Sequence, residues 1–313
     1  MLRYSLQRVV LMIPTVLSVT VLVFALMRLM PGDAVDTLLG DQRDEETRQL
    51  IRERLGLNDD PIRAYVSWLG HVLRGDVGFS LISGRSVPDV IWSALPTTLE
   101  FALLGMAIAL AISVPVGVIS SVRQDSWLDY VFRGGAIAAI AVPAFWVGIM
   151  SMAVPGYLFG WLPPTFVPWS DSPTRHLYGM ALPSVVLGLS VAGTQIRIIR
   201  TAMLNVLRED YVRTARAKGL SSQSVVLRHA MRNAVLPLVT LVAIQFSILI
   251  TGTVVLERVY GIPGLGQQLL AAISARDYPV IQGINLVFAI AVVTIYFAVD
   301  LLYALLDPRV RFA

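Results

Sequence analysis

One lysine, three histidines and no cysteine leave this 313-residue chain few side chains for covalent or metal chemistry. The missing cysteine removes disulfides, thiolate nucleophiles and Cys-type metal sites together. His71, His176 and His229 are scattered without metal-ligand spacing and read as ordinary surface or interface residues. Gly-x4-Gly-Lys-Ser/Thr occurs nowhere: Lys218 precedes Gly219 but follows Ala217, so no phosphate-cradling loop is present and the chain does not power itself with ATP. No Ser/His/Asp set or paired carboxylates argue for catalysis. What remains is electrostatic. Between Arg197 and Arg232 stand eight Lys/Arg (Arg197, Arg200, Arg208, Arg213, Arg216, Lys218, Arg228, Arg232) against two acids, Glu209 and Asp210.

The elements that must hold this cationic stretch are membrane spans. Only 15% of the residues are charged, against about 25% in a soluble domain, and mean hydropathy is +0.69. A hydrocarbon core about 30 Å thick takes roughly 20 apolar helical residues. Six segments meet that test: Val9–Met27, Phe101–Val122, Gly134–Leu158, Leu177–Ile196, Asn233–Leu256 and Tyr278–Val299. None contains a charge; Glu100, Glu257 and Asp300 fall at their edges. The spans therefore lack the acids and histidines typical of proton or sodium coupling, and no Thr-Val-Gly-Tyr-Gly filter marks a potassium channel. The pI near 9.6 reflects arginines that hold loops inside, not nucleic-acid binding.

Arg3 and Arg8 precede the first apolar run as in a secretory signal, but the run is too long and no small-x-small cleavage site follows, so a retained helix is expected. Short loops on the N-terminal side hold fourteen Lys/Arg against three opposite (Arg175, Arg258, Arg276), which places both termini in the cytoplasm. The long outer segment Pro31 to Ile91 is net acidic and reads as folded and helical. Glu45–Leu55 is expected to end at Gly56, a C-cap. Asp60-Pro61 is an N-cap followed by proline at the first helical position. Ile62, Tyr65, Val66, Leu69, Val72 and Leu73 then form one stripe, and the segment is expected to be a lid on the outer face of the bundle, a surface for an external partner, or both. Pro14, Pro96, Pro115, Pro143, Pro155, Pro183 and Pro237 lie in or beside spans and favour kinks. Trp161 and Trp169 suit an interfacial belt.

Within the cationic stretch, Leu204, Leu207, Tyr211 and Ala215 make one helical stripe, and Glu209 with Arg213 forms an i, i+4 pair. Gly219 stops that helix, and Ser221 or Ser222 caps the next. The product is a short hairpin pinned at both ends by transmembrane helices, so any push on it moves those helices. A positive-inside anchor and a lipid-headgroup patch are blander accounts of the charge. A DNA-binding helix-turn-helix is the other, but the second element is fused to a span, which leaves no compact three-helix core.

Asp210-Tyr-Val-Arg-Thr-Ala-Arg-Ala-Lys-Gly-Leu-Ser followed by Arg228-His-Ala-Met-Arg-Asn-Ala-Val-Leu-Pro237 resembles the coupling loop of ATP-binding-cassette importer permeases, in the dipeptide/oligopeptide/nickel branch. Met30-Pro-Gly-Asp33, Leu55-Gly-Leu-Asn-Asp-Asp-Pro61, Arg74-Gly-Asp-Val-Gly-Phe-Ser80 and Leu95-Pro-Thr-Thr-Leu-Glu100 are similar to that branch, as are Tyr260-Gly-Ile-Pro-Gly-Leu-Gly266, Arg276-Asp-Tyr-Pro-Val280 and the stretch Asp300 to Arg309. One departure is that Arg213, Thr214 and Ala215 stand where the general loop has Glu-Ala-Ala. The resemblance implies an all-α, six-helix type I importer permease of MetI-like fold in a bacterial inner membrane, with a helical extracytoplasmic insertion after the first helix. Its segments would be 1–30, an outer insertion 31–93, a five-helix core 94–306 carrying the loop 201–232, and a tail 307–313.

It further implies a non-catalytic subunit with no cofactor of its own, ATP and magnesium being held by two partner ATPases. A second homologous permease, an external solute-binding protein and membrane lipid complete the partners, with no nucleic acid. The ATPase-coupling residues it implies are Glu209, Asp210, Tyr211, Arg213, Thr214, Ala215, Arg216, Ala217, Lys218, Gly219 and Leu220, with Arg213, Ala215 and Gly219 at the contact tip. The expected cargo is a di- or oligopeptide or a related small solute. An ion-gradient-driven secondary transporter is the alternative.

Overall fold

A computed structural model describes residues 2–29, 35, 45–54 and 58–306. Met30-Pro-Gly-Asp33, the Gly56 cap, Arg309, Arg311 and the tail 307–313 lie outside the described residues. Among the described residues the regular structure is helical, apart from one antiparallel bridge between Phe79 and Ser86. By length and composition four helices can cross a membrane: Val10–Leu29, Val87–Val122, Pro173–Leu207 and Tyr278–Leu301. Two bent pairs bring the number to six if each counts as one span.

The first bent pair corrects the expected span Gly134–Leu158. Its residues belong to two helices, Trp127–Ala141 and Ala144–Phe159, set at 97° to each other. The cause is Pro143, whose ring drives the preceding residue out of the helical region. Val142 accordingly sits at φ −93°, ψ 124°. Pro14, Pro155 and Pro183 lie inside helices that continue through them.

The chain forms two compact units. Unit one comprises residues 1–98 and 263–313. Here α1 (Leu2–Leu29) packs along the long last helix (Tyr278–Leu306). Two shorter helices follow α1: α2 (Glu45–Arg54) and α3 (Pro61–Leu73). As expected, Asp60 caps α3, accepting from the Ile62 amide, with Pro61 at its first position. The expected apolar stripe makes only part of its contact, through Tyr65. Tyr65 and Trp68 dock α3 on α1 by packing around Phe24, and the Tyr65 hydroxyl bonds Thr20 Oγ1 at 2.9 Å. Ile62, Val66 and Leu73 are left 73%, 61% and 79% exposed. The contact is aromatic, and Trp68, which lies off the stripe, carries it together with Tyr65.

A loop rich in left-handed glycines (Gly75, Gly78, Gly84) then leads into α4 (Val87–Val122). It is clipped by buried Asp277, which accepts from Ser80 Oγ and, at 3.1 Å, from the Leu81 amide.

Unit two covers residues 99–262. It contains the rest of α4, the bent pair α5 (Trp127–Ala141) and α6 (Ala144–Phe159), and α7 (Pro173–Leu207). After these come α8 (Asp210–Ala217), α9 (Ser222–Ala234), α10 (Leu236–Gly252) and α11 (Val254–Tyr260). The helices approach through small residues, as membrane bundles do. A Cβ on Gly193 of α7 would stand 2.5 Å from the Ala136 carbonyl of α5. The expectation that His176 is an ordinary surface or interface residue is corrected here. His176 is 2% exposed, with one ring nitrogen on Glu100 at 2.8 Å, the other on the Val167 carbonyl, and the rings of Phe166 and Trp169 edge-on to it. It pins the loop before α7. In unit one, α12 (Leu265–Ala275) and α13 (Tyr278–Leu306) complete the chain.

Candidate functional site

The cationic stretch folds as a hairpin of α8 and α9, but its first leg is not the expected continuous helix. α7 ends at Leu207, Arg208 caps it, and Glu209 is extended at φ −69°, ψ 148° before α8 begins. Leu204, Leu207, Tyr211 and Ala215 therefore lie on two helices. The joint is closed by side chains: Val212, Ala215 and Val225 are buried together and pack on Val206 and Leu207. Ala215 thus faces the hairpin's interior and is 7% exposed, so it does not present itself at the tip.

The turn is built as the sequence requires. Gly219 has φ +77°, the left-handed region open to glycine at little cost. The Gly219 amide donates to the Arg216 carbonyl and the Leu220 amide to the Ala215 carbonyl, the two bonds of a Schellman helix stop. Ser221 then caps α9, its hydroxyl accepting from the Ser224 amide at 3.3 Å. Residues Val225–Ala230 of α9 are wound as a π-helix, which nothing in the residue pattern announces. The Asn233 side-chain amide donates to the Tyr211 hydroxyl at 2.7 Å and ties the two legs.

The hairpin presents charge outward. Glu209, Asp210, Tyr211, Arg213, Thr214, Arg216, Ala217, Lys218, Gly219 and Leu220 are all exposed. Arg213 pairs with Asp210 at 3.4 Å, not with Glu209, because Glu209 lies outside α8 and the i, i+3 acid is within reach. Both partners are well solvated, so this pair contributes little stability. The surface offers Arg213, Arg216 and Lys218 beside the apolar Leu220, a shape and charge pattern rather than a reactive centre.

Two buried polar clusters fix the helix that carries the hairpin. Near its lower end, Arg200 of α7 donates from Nε and Nη2 to both oxygens of Asp129 on α5, at 2.8 and 2.7 Å. Asp129 also accepts from Ser120 Oγ of α4 and from the Asp125 amide. Higher up, Gln195 of α7 accepts from Ser113 of α4 at 2.6 Å and donates to Gln245 of α10 at 2.7 Å. Gln245 donates in turn to the Val191 carbonyl. A third, apolar group, Ile199 and Met203 with Ala230, Ala234 and Leu238, welds α7 to α9 and α10. The first leg therefore packs on the end of the span-length α7, and the second runs across a 57° bend into α10.

Comparison with known proteins finds matches along nearly the full chain. Residues 113–312 match the family described as binding-protein-dependent transport system inner membrane component. Residues 1–102 match its N-terminal counterpart, binding-prot-dependent transport system membrane comp, N-term. The chain is 39% identical over 308 residues to a putative peptide transport system permease protein of Brucella abortus (strain 2308), covering 98% of each. It is 39% identical over 313 residues to the glutathione transport system permease protein GsiC of Salmonella choleraesuis (strain SC-B67), covering 100% of each. Among solved structures, a chain of the inward-facing MetNI methionine ABC transporter superposes with a TM-score of 0.53. That match covers 70% of this chain and 96% of the other at 16% identity, a likeness of fold.

Proposed function

This chain belongs to the binding-protein-dependent transport system inner membrane components, and on that premise we propose that it carries short peptides and is driven through its 204–228 hairpin. It is the permease subunit of an ATP-driven importer, with ATP hydrolysis performed by other subunits. Peptide cargo is inferred from the relatives, one of which handles peptides and another glutathione, itself a tripeptide. A second homologous permease forms the other half of the pathway, two cytoplasmic ATPases grip the hairpins, and an external protein delivers the solute. The arginine bias of the short loops favours both termini in the cytoplasm.

The observation that carries the coupling role is the weld at the joint. Val212, Ala215 and Val225 bury against the end of α7 while Arg213, Arg216, Lys218 and Leu220 face outward. An ATPase dimer that closes on ATP draws the hairpins together, and α7 and α10 move with them. ATP biases this equilibrium only as far as the closed ATPases bind the hairpins differently from the open ones.

The test is reconstitution. The complete complex in liposomes, with binding protein outside and ATP inside, should accumulate labelled di- or tripeptide, stop with vanadate and ignore an uncoupler. The full chain alone should move nothing. Uptake by the chain alone, or uptake that survives vanadate and collapses with an uncoupler, refutes the reading and favours an ion-driven transporter.

A further inference from the structure

Unit one contains a cavity of about 380 Å³ that the importer reading leaves unused. Its walls are the last turns of α1 (Phe24, Arg28), the first turns of α13 (Tyr278, Gln282) and one face of α3 (Trp68). α1 and α13 are both spans, and the ends they bring here lie on one side of the membrane. The cavity therefore sits where a span meets water, whichever side that is. We propose that it binds the phosphoethanolamine headgroup of a membrane phospholipid.

Depth is the first argument. α3, which forms one wall, keeps Ile62, Val66 and Leu73 exposed on one stripe while Tyr65 and Trp68 hold it to α1. A short helix anchored at the end of a span with a free apolar stripe lies in the interfacial plane, among headgroups. Below the cavity, Leu17 and Val21 continue the helical stripe of Phe24 and Arg28 at spacings of four, three and four, and both are exposed. That strip is a track for an acyl chain leaving the headgroup.

Chemistry is the second. The lining includes the carboxylates of Glu53, Asp59 and Asp76 and the guanidinium of Arg28. Arg28 is held in place: Nη1 donates to the Asp59 carbonyl at 3.1 Å, and the guanidinium lies over the Phe24 ring at 5.2 Å. Opposite charges across one cavity select a zwitterion, with phosphate on the guanidinium and ammonium on the acids. Because acids outnumber guanidinium groups among the described lining residues, a net anionic headgroup is disfavoured. A primary ammonium brings three N–H donors to the carboxylates, whereas a choline headgroup brings none.

Hydrogen-bond supply is the third. The Trp68 indole N–H is buried and has no acceptor among the described residues. Trp68 and Gln282 also wall a tighter crevice below, with Val19, Val23 and Leu286. A buried donor at the seam between a polar mouth and an apolar floor calls for an acceptor oxygen, which a phosphate or glycerol ester supplies.

The volume suits the task, since small-molecule sites run from about 300 to 1,000 Å³. This proposal rests on the membrane reading and is independent of what the importer carries.

The test uses the full chain with its accompanying subunits, delipidated in detergent and then offered phosphatidylethanolamine, phosphatidylcholine or phosphatidylglycerol of identical chains. Native mass spectrometry counts bound lipid, and thermal unfolding reports stabilisation. Phosphatidylethanolamine should bind about tenfold tighter than either other lipid, the size of one charge-assisted hydrogen bond. The triple change Glu53→Gln, Asp59→Asn, Asp76→Asn should erase that preference while the protein still inserts and unfolds cooperatively. Arg28→Gln should weaken all three lipids alike. Equal affinity of the wild-type protein for the three lipids overturns the proposal without recourse to a variant, as does preference retained by the triple variant. Alanyl-alanine at millimolar concentration is the other source of a primary ammonium. If it displaces the lipid through the same acids and protects lipid-free protein equally, the site is one for soluble ammonium and the proposal falls.

Discussion

Gly219 offers the sharpest perturbation, because the structure separates backbone from bulk there. Its φ of +77° lies in the left-handed region, yet a Cβ built on it meets nothing within 4 Å. Substitution therefore costs only conformational energy, about 1–2 kcal/mol for an ordinary L-residue. At 1.4 kcal/mol per factor of ten, that lowers the population of the native turn by roughly 5- to 30-fold. A β-branched residue is worse, since positive φ is an outlier for such side chains. Asparagine tolerates the left-handed region and serves at helix stops. The series Gly219→Asn, Gly219→Ala and Gly219→Val should then lose transport in that order, with Asn nearest to wild type. The assay is paired: peptide uptake and ATP hydrolysis in the same proteoliposomes, reported as peptide moved per ATP. Membrane insertion should be normal throughout, and hydrolysis should continue in Gly219→Val while uptake falls. Wild-type stoichiometry in Gly219→Val would refute the argument that this turn transmits force. A Gly219→Asn protein as impaired as Gly219→Val would refute the backbone explanation and point to side-chain volume at the tip.

Arg200→Met leaves the buried Asp129 carboxylate without its cation and should cost about 3–5 kcal/mol by thermal unfolding in detergent. Adding Asp129→Leu should recover most of that loss, and strictly additive losses would contradict a direct pair. Asp277→Asn turns an amide N–H₂ toward one of two donors, Ser80 Oγ or the Leu81 amide, and should cost about 1–3 kcal/mol. Faster limited proteolysis within residues 75–86, with the rest of the chain unchanged, is the measurement. Gly193→Ala forces α5 and α7 apart at a contact with the Ala136 carbonyl and should destabilise by about 1–3 kcal/mol in the same unfolding assay.

Features set by single residues or by bulk composition were legible in sequence. The spans follow from hydropathy, the α3 cap from Asp60-Pro61, and the hairpin turn from Gly219, because each is a local demand on the backbone. What depends on a neighbour was not. Seven prolines look alike in the chain, but only the surroundings decide that α7 continues through Pro183 while the helix breaks at Val142-Pro143. The Asp129–Arg200 pair joins residues 71 apart, and no periodicity links them. His176 looked like one of three stray histidines until Glu100 and the Val167 carbonyl closed around it. Glu209 was expected to pair with Arg213 on one helix; its role as an extended N-cap is a choice the chain makes only because Val212 and Ala215 find a buried partner in Val225.

That same cluster decides how a push on the hairpin must travel. The break at Arg208-Glu209 would be a soft joint if α8 hung from α7 by backbone alone, and a displaced tip would then bend the joint and leave α7 still. Val212 and Ala215 remove that option by packing on Val206 and Leu207, and the Tyr211–Asn233 bond binds the second leg to the first. Load at Arg213, Arg216 or Lys218 is therefore shared between α7 and α9. Along α7 it next meets the Arg200–Asp129 clamp to α5 and then the Gln195 bonds to α4 and α10. Packed cores switch between discrete arrangements rather than deforming continuously, so these helices move as a group. In the second leg the load first crosses the π-wound Val225–Ala230, where the backbone bonds are of the rarer, looser register. The two legs thus differ in backbone register, and α7 is the one of span length.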